Sequence, residues 1–255
     1  MTRRHDAGHA VKGATARTPD GTLIYAIGDI HGQLHLLDAL LARIGGDAAC
    51  TEGARRRVLV FVGDYVDRGP DAAGVIERVS ARLPGGFEAH CLMGNHEAIL
   101  LEFLERPETL THWLANGGRA TLASYGVNPP ELDASSRDVA ACRDAFAAAL
   151  PLAHLAFLKA LEPVFSLGGY LFVHAGIRPG VALEDQALRD LLWIREDFLD
   201  SGDDFGAVVV HGHTPVREPV VKPNRIDIDT GARVHGRLTA LRLFGAERSF
   251  LSAGE

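Results

Sequence analysis

The sequence predicts an α/β fold built on a largely parallel sheet. Three observations carry this expectation. Short apolar runs recur at LIYAI (from Leu23), VLVFV (from Val58) and FEAHCLM (from Phe87). Each closes on a glycine followed by Asp or Asn, at Gly28-Asp29, Gly63-Asp64 and Gly94-Asn95. Each is then followed by a segment with helical apolar spacing. Apolar runs with β-branched residues read as strands buried on both faces. Repeated strand-turn-helix units imply right-handed crossovers and a mainly parallel sheet.

The elements follow in order. The first helix places Leu34, Leu37, Leu40, Leu41 and Ile44 on one stripe and is predicted to end at Gly45-Gly46. A polar loop, Cys50 to Arg57, leads to the second strand. A helix is expected from Asp71 to Arg82, with Ala73, Val75, Ile76 and Val79 apolar and Pro84-Gly85-Gly86 closing it. The third helix is placed from Ala98 to about Glu105. Residues 106–161 then break the rhythm and read as a helical insertion. It either packs on the sheet edge or caps a site, with Asn116-Gly117-Gly118 able to bring backbone N–H groups close to a ligand. VFSLGGYLFVHAG reads as a hairpin-like pair and EDQALRDLLWIREDFL as a helix-forming segment. AVVVHGHTPV ends a further apolar run at His211-Gly212-His213. RIDIDTGAR and GRLTALRLF read as two alternating strands of a closing antiparallel meander.

At 255 residues and 27.3 kDa, one domain of generous size is expected, spanning residues 22–255. Residues 1–21 carry basic residues but no apolar segment after them, and read as a frayed arm. The net charge of −7, without long like-charge runs, argues against nucleic acid as a partner. No apolar run approaches a membrane span. Cys50, Cys91 and Cys142 form neither a disulfide framework nor a zinc motif, so a reducing, cytoplasmic setting is expected.

A lone aspartate at a strand tip is more often a helix cap or turn former than a metal ligand. Here five strand tips carry ligand-type side chains: Asp29 with His31, Asp64, Asn95, His174, and His211 or His213. Five of the 12 histidines (His31, His96, His174, His211, His213) sit at these ends. Oxygen and imidazole donors without cysteine suit Mn, Fe or Zn, and the set is too nitrogen-rich for a calcium cage. Two divalent ions set against Asp29, Asp64 and a hydroxide leave about one net positive charge, and two arginines raise it further, which suits a phosphate dianion.

GDIHG, GDYVDRG, GNHE, HAG and HGHTP, in this order, resemble the phosphoprotein phosphatase branch of the calcineurin-like metallophosphoesterases, with the match running from about Ile24 to Arg237. The resemblance implies two mixed β-sheets in a sandwich flanked by helices, and two metal ions, with manganese expected and iron or zinc as alternatives. It implies that Asp29 and His31 hold the first metal, that Asp64 bridges, and that Asn95, His174 and His213 hold the second. His96 would be the general acid, oriented by Asp67, and Arg68 would bind phosphoryl oxygens. Leu192-Trp193-Ile194-Arg195 matches the context of a second family arginine, which points to Arg195. His211 and Asp229 are expected to be supporting residues.

The implied reaction is hydrolysis of phosphate monoesters by direct attack of a metal-bridging hydroxide. No residue stands out as a covalent nucleophile: Cys91 lies within a strand and no C-x5-R pattern exists. Asp67 and Glu97 favour a serine/threonine or tyrosine protein phosphatase, with a phosphorylated protein or small phosphoester as partner. The related bis(5'-nucleosyl)-tetraphosphatases are the alternative. A non-catalytic phosphate-binding module is disfavoured by the intact Asp67, Arg68 and His96.

Overall fold

The computed structural model describes residues 16–131 and 135–254. Two five-stranded mixed sheets stack face to face. In the first, β1 (Thr22–Ile27), β2 (Arg56–Phe61) and β3 (Glu88–Cys91) run parallel, and β9 (Arg237–Phe244) and β10 (Glu247–Gly254) complete the order β10-β9-β1-β2-β3. The second holds β4 (Val164–Leu167), β5 (Tyr170–Val173), β6 (Val208–His211), β7 (Val220–Val221) and β8 (Arg225–Asp227) in the order β4-β5-β6-β8-β7.

Strand alternation accounts for the sandwich. Ile24, Ala26, Val58, Val60 and Val62 face Tyr170, Phe172, Val208 and Val210 between the sheets. Their neighbours Leu23, Tyr25, Ile27, Leu59 and Phe61 point to the opposite side. There they pack under α1 (Leu34–Cys50), α2 (Ala72–Ala81) and α3 (Asn95–Glu105). A strand with both faces buried must be apolar throughout, which is why the first runs show no polar alternation. Leu171, Val173 and Val209 cover the far face of the second sheet beneath α8 (Leu188–Trp193) and α9 (Glu196–Leu199).

Several expectations change. α1 runs through Gly45-Gly46 to Cys50, and neither glycine takes a left-handed conformation. Two mid-helix glycines cost about 1 kcal/mol each. The last turn is held regardless, because Ala48 is buried and Asp47 accepts from the Tyr25 hydroxyl and from Arg242. The closing meander is β9 with β10, whereas the RIDID strand lies parallel to β6 in the other sheet. The segment expected as one helix breaks at Ile194-Arg195, which separates α8 from α9. Of the expected arm, residues 1–15 lie outside the described residues. Residues 16–21 are pinned to both sheets: Gly169 N donates to Arg17 O, and Thr18 N to Gly245 O.

The 106–161 segment is helical, with α4 (Leu110–Ala115), α5 (Gly118–Ser124), α6 (Ser136–Ala149) and α7 (Leu152–Lys159). Trp113 packs between Phe103 and Phe146, with ring centroids 4.9 and 5.4 Å away. α4 and α5 form a wall beside the strand tips. α6 and α7 pack on the outer helices.

Candidate active site

The predicted ligands emerge from five strand ends at one edge of the sandwich, the carboxyl side where α/β sheets keep their chemistry. The backbone there is unusual. Among the described residues, the non-glycine residues with positive φ are His31, Asp64, Asp67, Arg68 and His213, at 46–68°. Each such conformation costs on the order of 1–3 kcal/mol and persists only where the surroundings enforce it. All five are predicted site residues.

Glu97 supplies much of that enforcement. Its carboxylate, fully buried, accepts from the backbone N–H of Gly94, Asp64, Tyr65 and Val66 at 2.8–3.1 Å. It thereby joins the Asp64 turn to the start of α3. Burial, with repulsion from Asp64, pushes Glu97 up to about 8 despite these bonds. Glu97→Ala would leave four buried donors unpaired, at about 1–3 kcal/mol each before relaxation. A fall of more than about 5 °C in melting temperature is expected by thermal denaturation, since 1 kcal/mol is worth about 2–4 °C at this size.

At the centre, His174 Nε2 lies 2.9 Å from Asn95 Oδ1, 3.2 Å from His213 Nδ1 and 3.5 Å from Asp64 Oδ1. His213 Nδ1 is 3.0 Å from the same Asn95 oxygen. His174 Nδ1 is 2.9 Å from the Val62 carbonyl, which can only accept, so Nδ1 carries the proton and Nε2 presents a lone pair. Burial lowers His174 and takes His213 down to about 2, so both rings are neutral. The His174 Nε2 lone pair, the Asn95 and Asp64 oxygens and His213 Nδ1 therefore converge on one point. That donor set fits a cation.

The other oxygen of Asp64 faces a second group. Its Oδ2 lies 3.5 Å from His31 Nε2 and 3.8 Å from His96 Nε2. His31 Nδ1 donates to Val66 O at 2.8 Å, which again turns a lone pair inward, and burial takes His31 down to about 3. Burial disfavours the Asp64 carboxylate, but the four surrounding histidines outweigh it and hold Asp64 below its ordinary range. Asp29 stands outside the two tight groups of donor atoms, His31–Asp64–His96 and Asp64–His174–His213. Its oxygens accept from His213 N at 3.1 and 3.3 Å. Burial and the nearby Asp229 and Asp64 push Asp29 well up, so this corner is short of positive charge.

His96 Nδ1 donates to Asp67 Oδ2 at 2.7 Å, leaving Nε2 toward Asp64. Burial works against an imidazolium there, but Asp64 and Asp67 outweigh it and raise His96. Asp67 is completely buried and also accepts from Trp113 Nε1 at 3.0 Å and Thr121 Oγ1 at 2.6 Å. Arg68 Nη1 lies 3.0 Å from His31 Nε2. Gly117 supports Arg68 rather than a ligand: its carbonyl accepts Arg68 N, and its own N–H is used by Leu114 O. Arg195 lies in a recess with Trp193 and Arg178, close enough to His174 and His213 to disfavour their protonation. His211 is packed edge-on against Phe198, with Nε2 3.3 Å from Arg225, and takes no part in either group. Asp229 is buried beside Asp29 and pushed up to about 6 by burial, with Oδ1 accepting from Gly231 N.

Trp113 and Thr121 went unread in the sequence. They come from the irregular insertion, and only the fold brings them to Asp67.

The family pattern described as calcineurin-like phosphoesterase matches residues 22–243. The chain belongs to that family. Bis(5'-nucleosyl)-tetraphosphatase PrpE [asymmetrical] of Bacillus thuringiensis (strain Al Hakam) is 31% identical over 236 residues, covering 85% of this chain and 88% of the relative. The enzyme of the same name from Geobacillus thermodenitrificans (strain NG80-2) is 31% identical over 241 residues at the same coverage. Among solved structures, a candidate diadenosine tetraphosphatase aligns with TM-score 0.60 and 22% identity over 95% of this chain and 96% of its own. A protein serine/threonine phosphatase from Saccharomyces cerevisiae aligns at 0.52 and 14%, over 92% and 81%. These two likenesses establish the shared fold.

The chain is therefore a metallophosphoesterase, a hydrolase of phosphoesters whose family uses divalent metal. Asp67 and Glu97 were expected to favour protein substrates. Both are wholly buried and bonded inward, so neither side chain is placed to read a substrate.

Proposed function

We propose that the protein hydrolyses dinucleoside tetraphosphates asymmetrically, to a nucleoside mono- and triphosphate. The observation that carries this reading is the 31% identity, over 85% of the chain, to enzymes named for that reaction. In the reaction, water oxygen bonds to phosphorus, one P–O–P bond breaks, and the departing phosphate oxygen leaves as an anion or takes a proton.

Asp29, His31 and Asp64 would hold one divalent ion, and Asp64, Asn95, His174 and His213 a second, with manganese expected. When bound, such a pair activates water and neutralises phosphoryl oxygens. The chain's own contribution is geometric and protonic. The left-handed turns aim the ligands, and Arg68 and Arg195 would bind phosphoryl oxygens. Asp67 accepts from His96 Nδ1–H and favours the protonated ring, whose Nε2–H can be handed to the leaving oxygen.

The complete His96–Asp67 pair favours a second reading, hydrolysis of phosphoserine or phosphothreonine. Alkoxides need a proton more than a polyphosphate does. Purified, manganese-loaded protein assayed on diadenosine tetraphosphate and phosphopeptides side by side separates the two. Higher kcat/KM on the dinucleotide is expected. Turnover of phosphopeptides alone would sink the first reading.

A further inference from the structure

We propose that the cleft beside Arg68 seats the part of a polyphosphate substrate that lies beyond the attacked phosphorus, with Arg233 selecting polyphosphates over substrates with a single phosphate. The inference rests on the dinucleoside polyphosphate reading above. The cleft, of about 410 Å³, opens between the start of α1, the Gly69-Pro70 turn and the 232–236 loop.

Four independent features make it an anion seat. First, its charged lining residues are Arg68 and Arg233, with no carboxylate among them, in a chain whose net charge is −7. The arginine-rich recess that holds Arg195 differs, since Asp190 and Asp197 pair with Arg178 at 2.6 and 3.2 Å. Second, Arg233 Nε donates to the Arg68 carbonyl at 3.1 Å, which fixes the guanidinium beside Arg68. Its two terminal nitrogens have no hydrogen bond or ion pair among the described residues, which leaves a fork for phosphate.

Third, Gln33 lines the cleft with a side-chain amide that makes no hydrogen bond among the described residues and is open to the cleft. Fourth, Gln33 is the N-cap of the 17-residue α1, whose first turn holds no acidic residue and no side-chain cap. His35 and Leu36 of that turn line the cleft, so the positive end of the helix dipole borders it.

Continuity with the site sets the order of contacts. Arg68 Nη1 reaches His31 Nε2, and Arg68 also lines the cleft. A phosphate chain can therefore run from the Asp64 centre past Arg68 to Arg233. Leu36, Pro70, Ala120 and Ala232 offer apolar surface beyond for a ribose or base. A single phosphate ends before Arg233.

The test compares wild type, Arg233→Ala and Arg233→Lys. Kinetics are measured on diadenosine tetraphosphate and para-nitrophenyl phosphate. Binding of a methylene-bridged, non-hydrolysable analogue of the dinucleotide is measured by calorimetry at fixed free manganese. Arg233→Ala is expected to lower kcat/KM for the dinucleotide at least tenfold more than for the nitrophenyl ester, mainly through KM. Analogue affinity should fall at least tenfold and recover in part in Arg233→Lys. Equal losses on both substrates, or undiminished analogue binding, would overturn the assignment. If the analogue binds through Arg233 but the dinucleotide is not turned over, the cleft stands and the functional reading fails. If the dinucleotide is turned over equally by wild type and Arg233→Ala, the reverse holds.

Discussion

His96→Asn is expected to lower turnover of substrates with poor leaving groups by about 10²–10⁴-fold while bound metal stays near the wild-type amount. The expectation follows from where the ring's two nitrogens point. Nδ1 is committed to Asp67, which Trp113 and Thr121 hold in place, so the proton available for transfer is on Nε2. Asp64 and Asp67 raise His96 above its ordinary value against the effect of burial, which favours the protonated ring. Asparagine keeps an amide near Nδ1 but has nothing at Nε2. Rates on alkyl and aryl phosphates, measured alongside metal content, check this. The alkyl substrates should lose far more, because an aryl oxide leaves without help. Equal losses would count against the general-acid role.

Asp64→Asn should strip both ions rather than one. Oδ1 faces His174, and the Asn95 and His213 donors lie against His174, whereas Oδ2 faces His31 and His96. No other carboxylate among the described residues joins both donor groups. Loss of an outer hydrogen-bonding partner already costs about 10–100-fold in metal affinity. Loss of a shared ligand should exceed that for each ion. Asparagine is nearly isosteric, so the turn should fold, held by Glu97 through the backbone N–H groups of residues 64–66. Elemental analysis of dialysed protein would read the result, and two tightly retained ions in the variant would refute the shared role.

The strand-turn-helix rhythm and the ligand-bearing tips were legible because each depends on local chemistry. An apolar run must be buried, and Gly followed by Asp or Asn marks where it stops. What was not legible depended on tertiary partners. α1 continues through Gly45-Gly46 because Asp47 meets Tyr25 and Arg242, residues distant in sequence. β8 and β9 share an alternating pattern but join different sheets, a choice made by register with β6 and β1. β10 has little apolar content and, among the described residues, pairs with β9 alone. Arg195 was identified by its context, but its position outside the helices follows from the break after α8.

Asp67 and Glu97 looked like discriminating positions, but both are scaffold. One orients His96 and the other ties two turns together. On the proposal above, selection between substrates falls to surfaces that the phosphate's substituents would reach, such as the Arg68–Arg233 cleft.

The most direct test is to identify the products when manganese-loaded protein acts on diadenosine tetraphosphate in ¹⁸O-labelled water. The account predicts one nucleoside mono- and one triphosphate per turnover, with a single labelled oxygen on a newly formed terminal phosphate. Two diphosphates, or no cleavage by protein that carries both ions, would contradict it.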